Sequence, residues 1–280
     1  MRVEMEILGS GTSTGIPTVG CTCAVCRSTN PRNKRLRASV LFRVGRGDDE
    51  RRLLVDVTPD VRMQTLRSGF TSVHAVLITH THADHCHGLD DLRTLYWGGG
   101  REPIPIWGYS ESIKSLKHTF NYIFDETYEY HGIARLSPQV FEKKPFIAAG
   151  VSVLPVSVIH GKMRVAGFRI GDCAYITDTN EVPPDSIAQL KGVRLLILDA
   201  LRRAPHPTHF SLPKALETAE KIGPEKVFFT HINHDLEHDT INAELPPWAR
   251  LGYDMLKVAI EEDGRITVKE PKPGPAFIAF

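Results

Sequence analysis

The run His80-Thr81-His82-Ala83-Asp84-His85 follows directly on the apolar stretch Ala75–Ile78 and sets three imidazoles and one carboxylate within a few residues of one another. In an extended strand end, positions i and i+2 face the same side, so His80 and His82 reach one metal ion together. The chain then turns, and Asp84 and His85 are placed to grip a neighbouring ion. A single His on an apolar face is most often a satisfied core residue. Three His and an Asp crowded after a buried strand call for a metal.

Around this run the chain reads as a mixed α/β protein. Short apolar stretches bounded by turn signals predict strands at Val3–Leu8, Ser39–Val44, Arg52–Asp56, Ala75–Ile78, Ile104–Trp107, Val151–Val158, Arg164–Ile170, Ala174–Thr177, Leu195–Asp199 and Lys226–Thr230. Helical patterns fall at Asp60–Ser68, Leu89–Trp97, Glu111–Tyr122, Ser186–Lys191 and Leu212–Ile222, several opened by Pro or a polar capping residue. No Pro/Gly/Ser linker divides the 280 residues and no solenoid repeat is present, so one domain over 1–280 is expected. The stretch 118–145 carries Tyr122, Phe124, Tyr128, Tyr130 and His131 without clean periodicity. It reads either as an aromatic lid inserted over a pocket or as satellite core beneath a long loop. The Pro-rich tail Glu270–Phe280 ends in apolar residues that either pack back on the body or contact the second copy of a homodimer.

Hydrophobic residues make up 41% and charged residues 24%, which argues against wholesale disorder and collagen. Lys plus Arg (34) against Asp plus Glu (33) gives a formal charge of +1, too even for stable coating of DNA. Glu4 and Glu6 interrupt the start where a signal peptide needs an apolar run, and no stretch reaches transmembrane length, so a cytoplasmic protein without membrane contact is expected. Of five cysteines, Cys21, Cys23 and Cys26 form a cluster that suits joint metal binding better than a disulfide framework, while Cys86 and Cys173 stand alone.

The His-x-His-x-Asp-His run resembles the signature of the metallo-β-lactamase superfamily. The resemblance implies a four-layered αβ/βα sandwich and places the remaining ligands at strand ends later in the chain. It carries them onto His160 in Val158-Ile159-His160-Gly161, Asp178 in Ile176-Thr177-Asp178-Thr179 and His231 in Phe229-Thr230-His231-Ile232. The implied division is His80, His82 and His160 on one ion and Asp84, His85 and His231 on the other, with Asp178 bridging them. A bridging carboxylate holds two cations about 3.5–4 Å apart, so that a water between them ionises near neutral pH and serves as nucleophile. Imidazole and carboxylate ligands suit Zn²⁺, Mn²⁺ or Fe²⁺.

Three thiolates want a fourth ligand to close a tetrahedral zinc site. The combination of Gly9-Ser10-Gly11-Thr12-Ser13-Thr14-Gly15-Ile16-Pro17, the three cysteines and Thr230-His231-Ile232-Asn233-His234 looks like the cyclic phosphodiesterases of bacterial phosphonate breakdown. That resemblance implies a structural zinc on Cys21, Cys23, Cys26 and His234. It also implies a histidine general acid at His209, just before the Ser211-Leu212 start of a helix, with His206 as the rival. A departing alkoxide needs a proton, and a His of near-neutral pKa supplies one.

Asp56 ends the apolar Leu53-Leu54-Val55 and reads either as a support for the metal-binding loop or as a strand-end turn. Asp199 has a similar standing near the second ion. The Gly-rich opening lacks the Lys-Ser/Thr of a triphosphate loop, though its backbone N–H groups could face a substrate phosphate. Arg37 reads as an anion contact or a solvated basic turn.

The resemblance thus implies a dinuclear hydrolase of small phosphodiesters, with Asp84, Asp178 and His209 carrying the catalysis. By resemblance its substrate is a ribosyl 1,2-cyclic phosphate or a 2′,3′-cyclic nucleotide. The alternatives are a tRNA 3′-processing nuclease of the RNase Z type, an acyl hydrolase such as a lactonase or thioesterase on the same metals, and a non-catalytic metal carrier. RNase Z enzymes carry a basic Gly/Pro-rich arm, and the tri-cysteine cluster is not their feature. The filled ligand positions argue against the carrier.

Overall fold

The computed structural model describes residues 1–271 apart from 101, 126 and 128–131. Fifteen strands among the described residues form two sheets. The chain lays down β1 (Val3–Gly9), β2 (Ser39–Val44), β3 (Arg51–Val55), β4 (Ala75–Leu77), β5 (Ile104–Gly108) and β6 (Leu136–Val140) in one sheet. It then builds the second from β7 (Phe146–Ala148), β8 (Val151–His160), β9 (Met163–Ile170), β10 (Cys173–Ile176), β11 (Leu195–Asp199), β12 (Lys226–Thr230) and β13 (Ala249–Leu251). β14 (Lys257–Ile260) and β15 (Ile266–Lys269) return to the first sheet beside β1.

The hydrophobic pattern dictates the layers. Met5, Ile7, Phe42, Leu53 and Leu77 on the first sheet meet Val153, Phe168, Tyr175, Ile197 and Phe228 on the second in one core between the sheets. The opposite face of the second sheet buries Val158, Ile176, Leu198 and Phe229 against helices Pro184–Leu190, Leu212–Ile222 and His238–Glu244. The opposite face of the first sheet buries Leu54, Val76 and Ile106 against Val61, Leu92 and Leu116 of three further helices. Strands covered on both faces are apolar, and β4 and the first four residues of β11 show this pattern. The result is the expected four-layered αβ/βα sandwich.

Strands β3 to β6 run parallel, as do β10 to β13. Their carboxyl ends therefore gather at one end of the sandwich, where the chain leaves each strand for a loop. The sequence reading missed β6 because Pro138 lies inside it; as an edge strand, β6 tolerates a residue without an N–H. Tyr122 and Phe124 pack partly buried against the helix-side core, and Tyr122 donates to Asp90 at 3.3 Å. Tyr128, Tyr130, His131 and all of the tail beyond Pro271 lie outside the described residues.

His238 sits buried on its helix and faces Asn242, with Nε2 3.0 Å from the amide. Burial, reinforced by Arg35 and Arg32, pushes its imidazole down to about 4. A depressed folded-state pKa means stability that is complete above about 6.5 and is lost as pH falls toward 4. Between pH 7.5 and 5 the parent should lose about 2 kcal/mol more than a His238→Gln variant, read from urea midpoints of both chains. Equal losses would remove His238 from the acid response.

Candidate active site

Every acidic or imidazole group expected at the metal site leaves a strand end or the turn after it. β4 runs into Thr79 and His80, β8 ends at His160, and β10, β11 and β12 lead to Asp178, Asp199 and His231. Asp56, Asp178 and His231 hold left-handed backbone (φ 62°, 47° and 58°), costly for residues with a Cβ. Such strain persists where surrounding contacts over-determine it, and here it turns three side chains into one space.

The seven expected ligands form two donor clusters. One ligand atom from each of His80, His82, His160 and Asp178 lies within 4.8 Å of the others, and the same holds for Asp84, His85, Asp178 and His231. Asp178 belongs to both. Its Oδ1 lies 3.1 Å from His85 Nε2 and 3.4 Å from His231 Nε2, while Oδ2 lies 3.8 Å from His80 Nε2 and 4.0 Å from His160 Nε2. The buried Nε2 atoms of His80, His85 and His231 have no hydrogen-bond acceptor. Buried nitrogens aimed at a shared centre and left unpaired fit a pair of divalent ions.

The far side of each ring explains its orientation. The Thr79 hydroxyl donates to Asp56 Oδ2 at 2.8 Å, so it can only accept from His80 Nδ1, 3.0 Å away. That fixes the His80 tautomer with Nε2 bare toward the centre. Asp56 Oδ2 also takes the Nδ1 proton of His85 at 2.7 Å. His160 Nδ1 donates to the Thr208 carbonyl at 2.6 Å. Asp56 thus steers one ring of each cluster, resolving its reading in favour of loop support. Sequence reasoning missed Thr79 and Thr208, whose partners Asp56 and His160 lie 23 and 48 residues away.

The two clusters differ electrically. Burial, with His85 beside it, drives His80 well below the usual histidine range, and burial lowers His160. Burial opposes charge on His85, but Asp178, Asp56 and Asp84 together hold its imidazolium well above that range. Asp178 is carried well below the carboxylate range by His231 and His85 despite burial that works the other way.

His209 stands at the mouth of this centre. Its Nε2 lies 4.0 Å from Asp178 Oδ2 and its Nδ1 3.4 Å from Asp199 Oδ2. Its ring stacks on His231 with centroids 4.6 Å apart. Asp199 is pinned behind it by the N–H groups of Thr179 and Phe210. His206 instead accepts from the Thr208 N–H at 3.3 Å in its own loop. The loop rests on the β8–β9 turn, where a Cβ on Gly161 would stand 3.0 Å from Thr208.

The N-terminal loop and the loop after β12 do meet. Thr12 N–H donates to the Ile232 carbonyl and Ile232 N–H to the Ser10 carbonyl. Cys21, Cys23, Cys26 and His234 consequently form a third donor cluster, with His234 Nδ1 3.3 Å from the Cys21 sulfur and 3.5 Å from that of Cys26. Buried Arg35 braces this contact through the carbonyls of Asn233 and Leu236. The N–H groups of Ser10, Gly11 and Thr12 all find protein acceptors, so they do not face a phosphate. Arg37 is occupied by Asp60 and the Ser13 carbonyl.

Residues 51–232, well over half of the chain, match the family model described as the β-lactamase superfamily domain. The chain belongs to the metallo-β-lactamase superfamily. A crystal structure of a diphosphatase from the PhnP family is similar over 92% of this chain and 97% of that one, at 40% identity and a TM-score of 0.85. Zn²⁺-bound PqqB from Methylobacterium extorquens shares the fold at 22% identity and a TM-score of 0.69, covering 92% of this chain and 99% of that one. An octanoyltransferase of Porphyromonas gingivalis is 37% identical over 95% of this chain, which spans only 53% of that relative's length. The chain thus joins the superfamily's domain to clustered His and Asp side chains able to hold metal ions.

For this superfamily member, Asp56→Asn should weaken active-site metal binding by about 10–100-fold, because it removes the acceptor that orients His85 and Thr79. Competition with a chelator measures it. Unchanged affinity would reduce Asp56 to a strand-end turn.

Proposed function

We propose that the protein is a phosphodiesterase that opens cyclic phosphate diesters of ribose, a ribosyl 1,2-cyclic phosphate or a 2′,3′-cyclic nucleotide. The observation that carries this reading is His209, set between buried Asp199 and the shared carboxylate of both donor clusters. Two divalent ions, held by His80, His82, His160, Asp178, Asp84, His85 and His231, would supply an ionised water near neutral pH and positive charge for the phosphoryl oxygens. The chain does the rest. Asp199 Oδ2 lies 3.4 Å behind Nδ1 of His209, so Nε2 is the side of the ring turned toward the departing ribose oxygen that it would protonate. Asp178 and Asp84 fix the donor sets around the reacting phosphorus. Cys21, Cys23, Cys26 and His234 suit a structural zinc that ties the N-terminal loop to the loop after β12.

The diphosphatase relative favours a second reading, cleavage of a P–O–P linkage on the same site. A phosphate leaves more readily than an alkoxide and has less need of a general acid, so His209 speaks for the diester. The name of the octanoyltransferase relative belongs to a protein nearly half of which lies outside the match. The test loads the protein with Mn²⁺ or Zn²⁺ and compares a 2′,3′-cyclic nucleotide, a diphosphate diester and an octanoyl thioester. The cyclic diester should be turned over at least about 100-fold faster than the others. Preference for the diphosphate supports the second reading, and turnover of the thioester alone overturns both.

A further inference from the structure

The three sulfurs of the N-terminal cluster are not equivalent. Cys26 is buried, Cys21 is half-buried and Cys23 is exposed, and all three are free thiols. One ligand atom from each, with one from His234, lies within 4.8 Å of the others. The Cys26 N–H donates to the Cys23 sulfur at 3.4 Å, which holds that sulfur over the first turn of the helix Ala24–Arg27. Cys23 and Cys26 are three residues apart, the spacing at which side chains meet across one turn. Cys21 and Cys23 are separated by a single residue, and a bridge there closes a tighter ring against the preferred disulfide geometry.

The segment that carries these residues leans on the cluster. Its own apolar core is Ile16, Val25 and Cys26, with Cys21 packed beside them, which buries too little surface to order a long loop by itself. Asn30 and Asn33 anchor its far end to Asp239 and Glu237. Toward the active centre the backbone bonds of Ser10, Thr12 and Ile232 join the same two loops and need no metal. Loss of a metal from the four groups therefore frees the stretch around Arg27 and leaves His231 in place.

On the zinc reading of this cluster, on which the step rests, we infer that Cys23 and Cys26 are a redox modification site at which a hydroperoxide forms a disulfide and releases the ion. Zinc holds the sulfurs as thiolates, the nucleophilic form, and exposure gives the oxidant access to Cys23. The Cys23 thiolate attacks a peroxide oxygen, so that an S–O bond forms as O–O breaks and the other oxygen leaves with a solvent proton. The Cys26 thiolate then attacks the sulfenic sulfur, forming S–S and expelling hydroxide, which a second solvent proton converts to water. Two thiolates lose one electron each and one peroxide gains two. Cys21 and His234 remain, too few to close a tetrahedral site.

The Zn²⁺-loaded protein is treated with hydrogen peroxide, released zinc is read with a chromophoric chelator against a peroxide-free control, and the cysteines are mapped by mass spectrometry. About one equivalent of zinc per chain should leave in step with a Cys23–Cys26 disulfide, and dimedone should capture the sulfenic acid on Cys23. Dithiothreitol with Zn²⁺ should restore both thiols and metal. Tryptic cleavage after exposed Arg27 should quicken at least about tenfold on oxidation. Cys23→Ala should slow zinc release at least about tenfold, and where that variant holds no zinc the mapping of the parent decides. Cluster thiols that survive a peroxide excess, oxidation that falls first on Cys21 or Cys86, or a disulfide formed with the zinc retained would each overturn the site. A cluster that loads no zinc fails the structural-zinc reading by elemental analysis before peroxide is added, and the thiol mapping still decides the oxidation.

Discussion

Replacing Asp178 by Ala is expected to lower kcat/KM for bis(p-nitrophenyl) phosphate by more than about 10³-fold and to release metal from the centre. The expectation rests on position. Oδ1 of this carboxylate faces His85 and His231, and Oδ2 faces His80, His160 and His209. Asp178 alone is common to both donor clusters. Without it two divalent ions lose their shared counter-charge and one donor each. The left-handed backbone at Asp178 (φ 47°) complicates the Ala variant, which strains the chain by about 1 kcal/mol. Asn tolerates that conformation, so Asp178→Asn isolates the loss of charge and should fall nearly as far. Activity within tenfold of the parent in the Asn variant would show that the carboxylate does not join two ions.

His209→Ala separates proton donation from metal chemistry. A ribose oxygen leaves as a poor alkoxide, whereas p-nitrophenolate departs without help, so the loss should be about 10²–10⁴-fold on a cyclic ribose diester and under about tenfold on the nitrophenyl ester. Asp199→Asn should reproduce part of the same split, because Asp199 lies 3.4 Å behind the His209 ring. The split also differs from what disruption of His231 would produce. His209 stacks on that ring, and a variant that merely disturbed it would slow both substrates alike. Equal losses on the two esters would remove His209 from the acid role and return attention to His206.

The metal centre was legible to the degree that it is local. His80, His82, Asp84 and His85 are contiguous, and the strand-then-turn reading of that run matches β4 and the helix Ala83–Cys86. His160, Asp178 and His231 each follow a strand that apolar patterning marks, yet only resemblance to a family selected them among other strand ends. What lay beyond the sequence was contact across long separations. Thr79 hands the Asp56 hydrogen bond on to His80, the Thr208 carbonyl fixes His160, and Arg35 braces the loop of His234 through carbonyls some 200 residues away. No local pattern encodes such pairings. The left-handed turns at Asp56, Asp178 and His231 were likewise hidden, since Asp and His occupy that region only when tertiary contacts require it. In the fold, Pro138 masks β6, whereas the apolar Val258-Ala259-Ile260 and the alternating Ile266-Thr267-Val268-Lys269 carry a strand signal legible in the sequence.

The most direct test counts metal ions per chain. With Asp178 shared between two clusters and a further cluster of three thiolates and an imidazole, the Zn²⁺-loaded protein should hold three equivalents by elemental analysis. Cys26→Ser should hold two and keep its activity on bis(p-nitrophenyl) phosphate, and Asp178→Asn should retain the thiolate-bound ion while losing at least one of the others. A parent protein that binds a single equivalent, retained in Asp178→Asn and lost in Cys26→Ser, would contradict the dinuclear centre on which the proposed chemistry depends.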